Sequence, residues 1–141
     1  MAKKVKGKKR HLLVDTLGLM LALHVHPANV QDRHGALPLL HGIADRFPTI
    51  LCLVADAAYA GAQTERHITE LGPWRLEIAK RSDWHKFEIL PKRWIVERTL
   101  AWMGRCRRLA KDFENRTRMA IAFVYLAMIR LMIRRLARHA I

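Results

Sequence analysis

Two short apolar runs, residues 12–14 and 19–25, flank the tetrapeptide Asp15-Thr16-Leu17-Gly18. Asp at the first position and Gly at the fourth suit a type I turn, because the Asp side chain bonds nearby backbone and Gly tolerates the exit conformation. The pattern predicts a β-hairpin near the start of the chain. Pro27 ends its second strand, and residues 26–33 (HPANVQDR) read as loop. After that the periodicity switches back and forth. Leu37, Leu40, Ile43, Ala44 and Phe47 recur at helical spacing, which predicts a helix over 35–47 stopped by Pro48. Residues 50–55 (ILCLVA) are a continuous apolar run, as in a buried strand, and end at Asp56. Small residues around Tyr59 form a turn over 57–61. A helix over 62–71 closes at Gly72-Pro73, and 74–79 alternates like a strand. Residues 80–91 are polar and irregular. An amphipathic helix covers 92–109, a polar bridge 110–116, and a last helix about 117–137. The order β-β-α-β-α-β-α-α predicts a mixed α/β sheet with flanking helices. The 141 residues suffice for one domain, 11–141, preceded by a basic segment, 1–10.

Charge narrows the partners. Lys and Arg number 26 against 12 Asp and Glu, a net charge of +14. Such a cation seeks a polyanion, either nucleic acid or an anionic membrane surface. The longest apolar stretch, 119–128 extended to 133 across Arg130, falls short of the ~20 residues a spanning helix needs. No membrane partner is therefore expected, and no targeting segment is evident. Cys52 and Cys106 cannot build a disulfide framework and read as small core residues of a reduced, cytoplasmic protein. The run Lys3, Lys4, Lys6, Lys8, Lys9, Arg10 is either a solvated tail or an arm that contacts phosphates.

With so few acids, each can be weighed. Asp56 directly follows the buried-type strand, where open α/β sheets place ligands. It is either a metal ligand or the cap of the next turn. On the 92–109 helix, Ile95, Thr99, Trp102, Cys106 and Leu109 form an apolar stripe, with Trp94 and Met103 beside it. Glu97 lies off that stripe on a face shared with Arg93, Ala101, Arg105 and Arg108. It is either paired with Arg93 or a metal ligand among phosphate-binding arginines. Asp15 belongs to the hairpin turn, and Asp32 beside Arg33 reads as a turn or cap. Asp112 and Glu114 precede the last helix and are expected to pair with its arginines. His24 and His26 share a strand face, but the histidines lack zinc spacing. There is no Gly-rich phosphate loop and no nucleophilic Ser or Cys motif.

Three stretches together, 4–36 (KVKGKKRHLLVDTLGLMLALHVHPANVQDRHGA), 54–61 (VADAAYAG) and 93–114 (RWIVERTLAWMGRCRRLAKDFE), resemble the DDE transposases of small bacterial insertion sequences. AMIRLMIRRLA at 127–137 also fits, so the resemblance runs along nearly the whole chain in order. It implies a ribonuclease H-like fold with Asp56 and Glu97 as the second and third catalytic carboxylates and as metal ligands. It further implies Mg²⁺ or Mn²⁺ as cofactor and DNA, both element ends and target, as partner. Lys3, Lys4, Lys6, Lys8, Lys9, Arg10, Arg93, Arg98, Arg105 and Arg108 become the DNA-binding set, with a homo-oligomer as the active form. The family's first Asp lies on a central first strand upstream of the basic run, and neither Asp15 nor Asp32 stands in for it. Ala57-Ala58 replaces residues that are often Gly in the family. The chain thus resembles the C-terminal part of a catalytic domain, inactive until an upstream segment completes it. The alternative is a non-catalytic, basic DNA-binding remnant.

Overall fold

The computed structural model describes residues 7–79 and 93–139. Strands β1 (Lys8–Val14) and β2 (Met20–Pro27) form the expected antiparallel hairpin, with His11 opposite His24 and Leu13 opposite Ala22. The Gly18 N–H donates to the Asp15 carbonyl at 2.9 Å, which closes the turn. Asp15 Oδ1 accepts from the N–H groups of Leu17 and Leu19 at 2.9 and 2.7 Å. Gly18 has φ +77°, a left-handed conformation that a side chain disfavours. Its missing Cβ matters too, since one would lie 2.8 Å from Thr99 Oγ1.

The expected helix over 35–47 is instead two. Helix α1 (Asp32–Leu40) starts earlier, and α2 (Ile43–Arg46) follows a break at Gly42, whose φ is +69°. A left-handed residue interrupts the helical hydrogen-bond series, which apolar spacing alone does not reveal. Strand β3 (Cys52–Asp56) leads through a single 3₁₀ turn, Ala57–Tyr59, to α3 (Ala62–Leu71) and then β4 (Arg75–Ala79). β3 and β4 are parallel, from Cys52 beside Arg75 to Asp56 beside Ala79, and α3 makes the crossover that parallel strands require. Helix α4 (Arg93–Gly104) ends before the expected 109, and a series of turns carries the chain on to α5 (Thr117–His139). Glycine at 104 is a poor helix former.

The expectation of one mixed sheet also needs correcting. The described residues form two sheets of two strands, β1–β2 and β3–β4, because the edges of β1 and β3 do not pair. Alternation along β1 builds a layer of helices on each face. Leu13 and Ala22 pack with Leu40, Ile43, Leu53, Ile68 and Trp74, beneath α1 and α3. Leu12, Met20 and Leu23 pack with Met103, Leu109, Val124 and Met128, beneath α4 and α5. Thr99 on α4 is fully buried, its hydroxyl 2.9 Å from the Gly18 carbonyl and 3.0 Å from the Ile95 carbonyl. That contact pins α4 to the hairpin turn. Cys52 and Cys106 are free and half-buried. No described helix is long and apolar enough to cross a membrane.

Candidate active-site cleft

A cleft of about 410 Å³ separates β1 from β3. Arg10 to Leu13 of β1 form one wall, and Leu53 to Asp56 of β3 form the other. Leu39 and Leu40 of α1, Tyr59, and Val96, Glu97 and Leu100 of α4 also line it. The cleft brings together the two carboxylates singled out in the sequence. Asp56 reaches it because β3 ends there. Its Oδ1 accepts from the Ala58 N–H at 2.7 Å and caps the 3₁₀ turn. The cap uses one carboxylate oxygen, so capping and ligation are compatible. Glu97 reaches the cleft because it lies off the buried stripe of α4, where Ile95, Thr99 and Met103 are buried.

Among the described residues, no three His, Cys, Asp or Glu side chains gather into a metal-ligand set. Two carboxylates in one cleft still fit Mg²⁺. That ion favours oxygen donors and is commonly held through one or two carboxylates, with water and substrate phosphate filling its other positions.

Asp15 and Asp32 lie elsewhere, the first in the hairpin turn and the second paired with Lys9 at 2.9 Å. Among the basic candidates, Lys3, Lys4 and Lys6 and the Arg93 side chain lie outside the described residues. Lys8 bonds Asp112 at 3.2 Å and the Glu114 carbonyl. Arg10 donates to the Leu109 carbonyl at 3.2 Å. Arg98 stacks on Trp94 and Trp102, 4.3 and 4.8 Å from their ring centres, and donates to the Leu17 carbonyl at 2.9 Å. Arg108 pairs with Glu114 at 2.9 Å. The partners of Asp112 and Glu114 are therefore Lys8 and Arg108, not the arginines expected from the last helix. β1 passes beside the 105–116 connection and supplies the nearer cation.

The sequence reading missed a chain of hydrogen-bonded rings beside the cleft. His11 and His26 are buried and stacked, with their Nε2 atoms 2.6 Å apart. His26 Nδ1 lies 2.8 Å from the Pro27 carbonyl, and His11 Nδ1 lies 2.8 Å from the Tyr59 hydroxyl. A carbonyl only accepts, so His26 donates from Nδ1, and in that single-proton tautomer its Nε2 accepts. His11 then donates from Nε2 and accepts from Tyr59. Burial, then the neighbouring His26, pushes the His11 pKa down. Burial, then Asp32 and Asp56, pushes Tyr59 up to about 12, so its hydroxyl keeps the proton it donates. A Cβ on Gly35 would lie 2.0 Å from His26 Nε2, so only glycine lets α1 pass over the pair. The chain anchors the turn that carries Asp56. Strand parity placed His24 and His26 on one face, but Tyr59 arrives through tertiary packing.

A family model described as transposase DDE domain matches residues 2–132. The chain is 37% identical over 130 residues to the "Putative transposase for insertion sequence element IS402" of Burkholderia cepacia. The alignment covers 85% of this chain and 60% of that relative, so the chain spans well under two thirds of the relative's length. No solved structure matches the chain.

Proposed function

The chain belongs to the DDE transposase family of insertion sequences, and from that premise we propose that it is the C-terminal part of a catalytic domain that cuts and joins DNA strands. One observation carries the reading: Asp56 and Glu97, distant in sequence, line the same cleft. The cleft also lies between two unpaired strand edges. A strand laid between β1 and β3 could pair with both and merge the half-sheets into one mixed sheet of ribonuclease H-like form. In this reading an upstream segment supplies that strand together with the first catalytic carboxylate, and the chain alone does not join DNA.

Asp56 and Glu97 would hold Mg²⁺ or Mn²⁺. When bound, divalent ions in such a site polarise the reacting phosphate and lower the pKa of the attacking hydroxyl. The chain's own part is positional. The Ala58 N–H fixes the Asp56 carboxylate. Thr99 anchors the helix that carries Glu97. Leu39, Leu40, Leu53 and Leu100 give the cleft a largely apolar lining. The +14 charge draws DNA to the surface in a salt-dependent way. The active form is a homo-oligomer on DNA.

The test fuses the upstream segment in frame and measures strand transfer with Mg²⁺ on duplexes carrying the element's ends. The fusion should join DNA where the chain alone does not. Activity that survives Asp56→Asn would overturn the assignment. A fusion that folds and binds DNA but never joins it would favour the non-catalytic remnant.

A further inference from the structure

Helix α4 also borders a second groove, on the side away from the carboxylates. Trp102 and Arg105 face Arg130, Arg134, Arg135 and Arg138 of α5 across a space of about 440 Å³. Among the described residues, five guanidinium groups line it and no acidic side chain does. Elsewhere several basic side chains have acidic partners, as in Lys8–Asp112, Lys9–Asp32, Arg75–Glu77 and Arg108–Glu114. Arg130, Arg134 and Arg138 stand four residues apart on α5, in one row with steps of about 6 Å along the axis. Like charges at that spacing repel and weaken a helix, and a bound polyanion would relieve the repulsion. All five cations are Arg, whose planar fork can donate two hydrogen bonds to one phosphate.

One wall is already organised. Arg135 lies over the Trp102 ring, 4.6 Å from its centre, and donates to the Leu17 carbonyl at 3.1 Å. Arg98 stacks on the same ring and donates to the same carbonyl. Stacked guanidinium groups lose little further freedom when a phosphate binds.

The two clefts use different faces of α4. The two share no lining residue: at about 100° per residue Trp102 points roughly 120–160° away from Val96, Glu97 and Leu100, and Arg105 and Cys106 follow just past the end of the helix. A phosphate held by the arginines is therefore not the phosphate at the carboxylates. We infer that the α4–α5 groove docks the phosphodiester backbone of duplex DNA at a distance from the reacting strand. The choice of DNA as the polyanion rests on the transposase reading; the existence of an anion site does not.

The test uses the full chain, a labelled duplex of arbitrary sequence and chelator in place of divalent metal, so that no catalytic step enters. Arg130→Gln, Arg134→Gln and Arg138→Gln together should weaken binding at least tenfold. They should also lower the slope of log affinity against log salt by about 2 to 3, near 0.9 per lost phosphate contact. Arg46→Gln, Arg66→Gln and Arg75→Gln remove equal charge from the exposed α2, α3 and β4 surface and should cost only a few-fold. The triple Arg→Lys variant keeps the charge and should retain most of the affinity, which guards against a folding defect. Equal losses in the two Gln sets would overturn the proposal, as would unchanged duplex binding in the groove variant. Leu126, Ile129, Ile133 and Leu136 are exposed on α5, so anionic vesicles form a further arm. Vesicle binding that the groove variant loses while duplex binding persists would also overturn it. If strand transfer fails in the fused protein but this pattern holds, the groove stands without the catalytic assignment.

Discussion

The two sides of α4 differ in charge. Toward β1 and β3 the helix presents Glu97 to a mainly apolar cleft that also holds Asp56. Toward α5 it presents Trp102, with Arg105 just past its end, to a groove that holds four more arginines and no acid among the described residues. A net charge of +14 does not by itself say where on the surface the cations gather. Here one helix separates two anionic groups from a dense cationic row. The difference teaches that net charge states the affinity for a polyanion, while helical phase states where it docks. The clefts also differ in construction. The arginine groove needs two helices packed on one core, whereas the carboxylate cleft depends on two half-sheets, α1 and the Tyr59 turn.

The largest effect expected from this comparison is a clean separation of chemistry from binding. In the completed enzyme, Asp56→Asn or Glu97→Gln should reduce strand transfer by more than the ~10–100-fold typical of losing a ligand's outer partner. Duplex affinity should stay within about twofold, by fluorescence anisotropy. Parallel losses of both properties would erase the distinction between the two sides.

Thr99 tests the opposite behaviour, since it holds the wall that both clefts share. Thr99→Val leaves the buried Gly18 carbonyl without that donor and should cost about 1–3 kcal/mol in urea denaturation. Strand transfer and duplex binding should then decline together. Gly18→Ala should act in the same direction, because its Cβ meets Thr99, Arg98 and Trp102.

Acid should separate the sides again. His11 and His24 have lowered pKa values in the folded protein, in each case chiefly through burial. Below about pH 6.5, the ordinary histidine value, the unfolded chain binds more protons than the folded one. Stability should therefore fall as pH drops through that range and stay level above it as far as these groups are concerned. Hydrogen exchange should show β1 and the Tyr59 turn opening before α5. Simultaneous opening, or no change between pH 7 and 5, would count against a weaker carboxylate side.

The smallest effect is expected at Asp15. Asn can accept the same two N–H bonds through its Oδ1, so Asp15→Asn should cost less than about 1 kcal/mol and leave both clefts intact. A loss of strand transfer matching that of Asp56→Asn in a folded protein would show that the wrong carboxylate had been chosen.

The sequence by itself determined most of the elements and the properties of their faces. Asp15 and Gly18 declared the hairpin turn, Gly72 the end of α3, and the spacing of Ile95 and Thr99 the buried side of α4, with Met103 beside them. These readings hold because turns, helices and strands repeat over a few residues, so side-chain periodicity records them locally. Asp56 and Glu97 could be weighed one at a time for the same reason, but it was the family resemblance that set them above a turn cap and an Arg93 partner. Tertiary structure decided what local periods do not encode. Gly42 split one apolar spacing into two helices, and β1 and β3 were left as separate edges. His11 met His26 and Tyr59 over Gly35, while Lys8 and Arg108 took the acids expected to serve α5. Trp102 met Arg98 and Arg135 beside a row of arginines whose groove holds no acid among the described residues. Each of these depends on which distant surfaces meet and on what space remains between them, and packing sets that only once the layers have assembled.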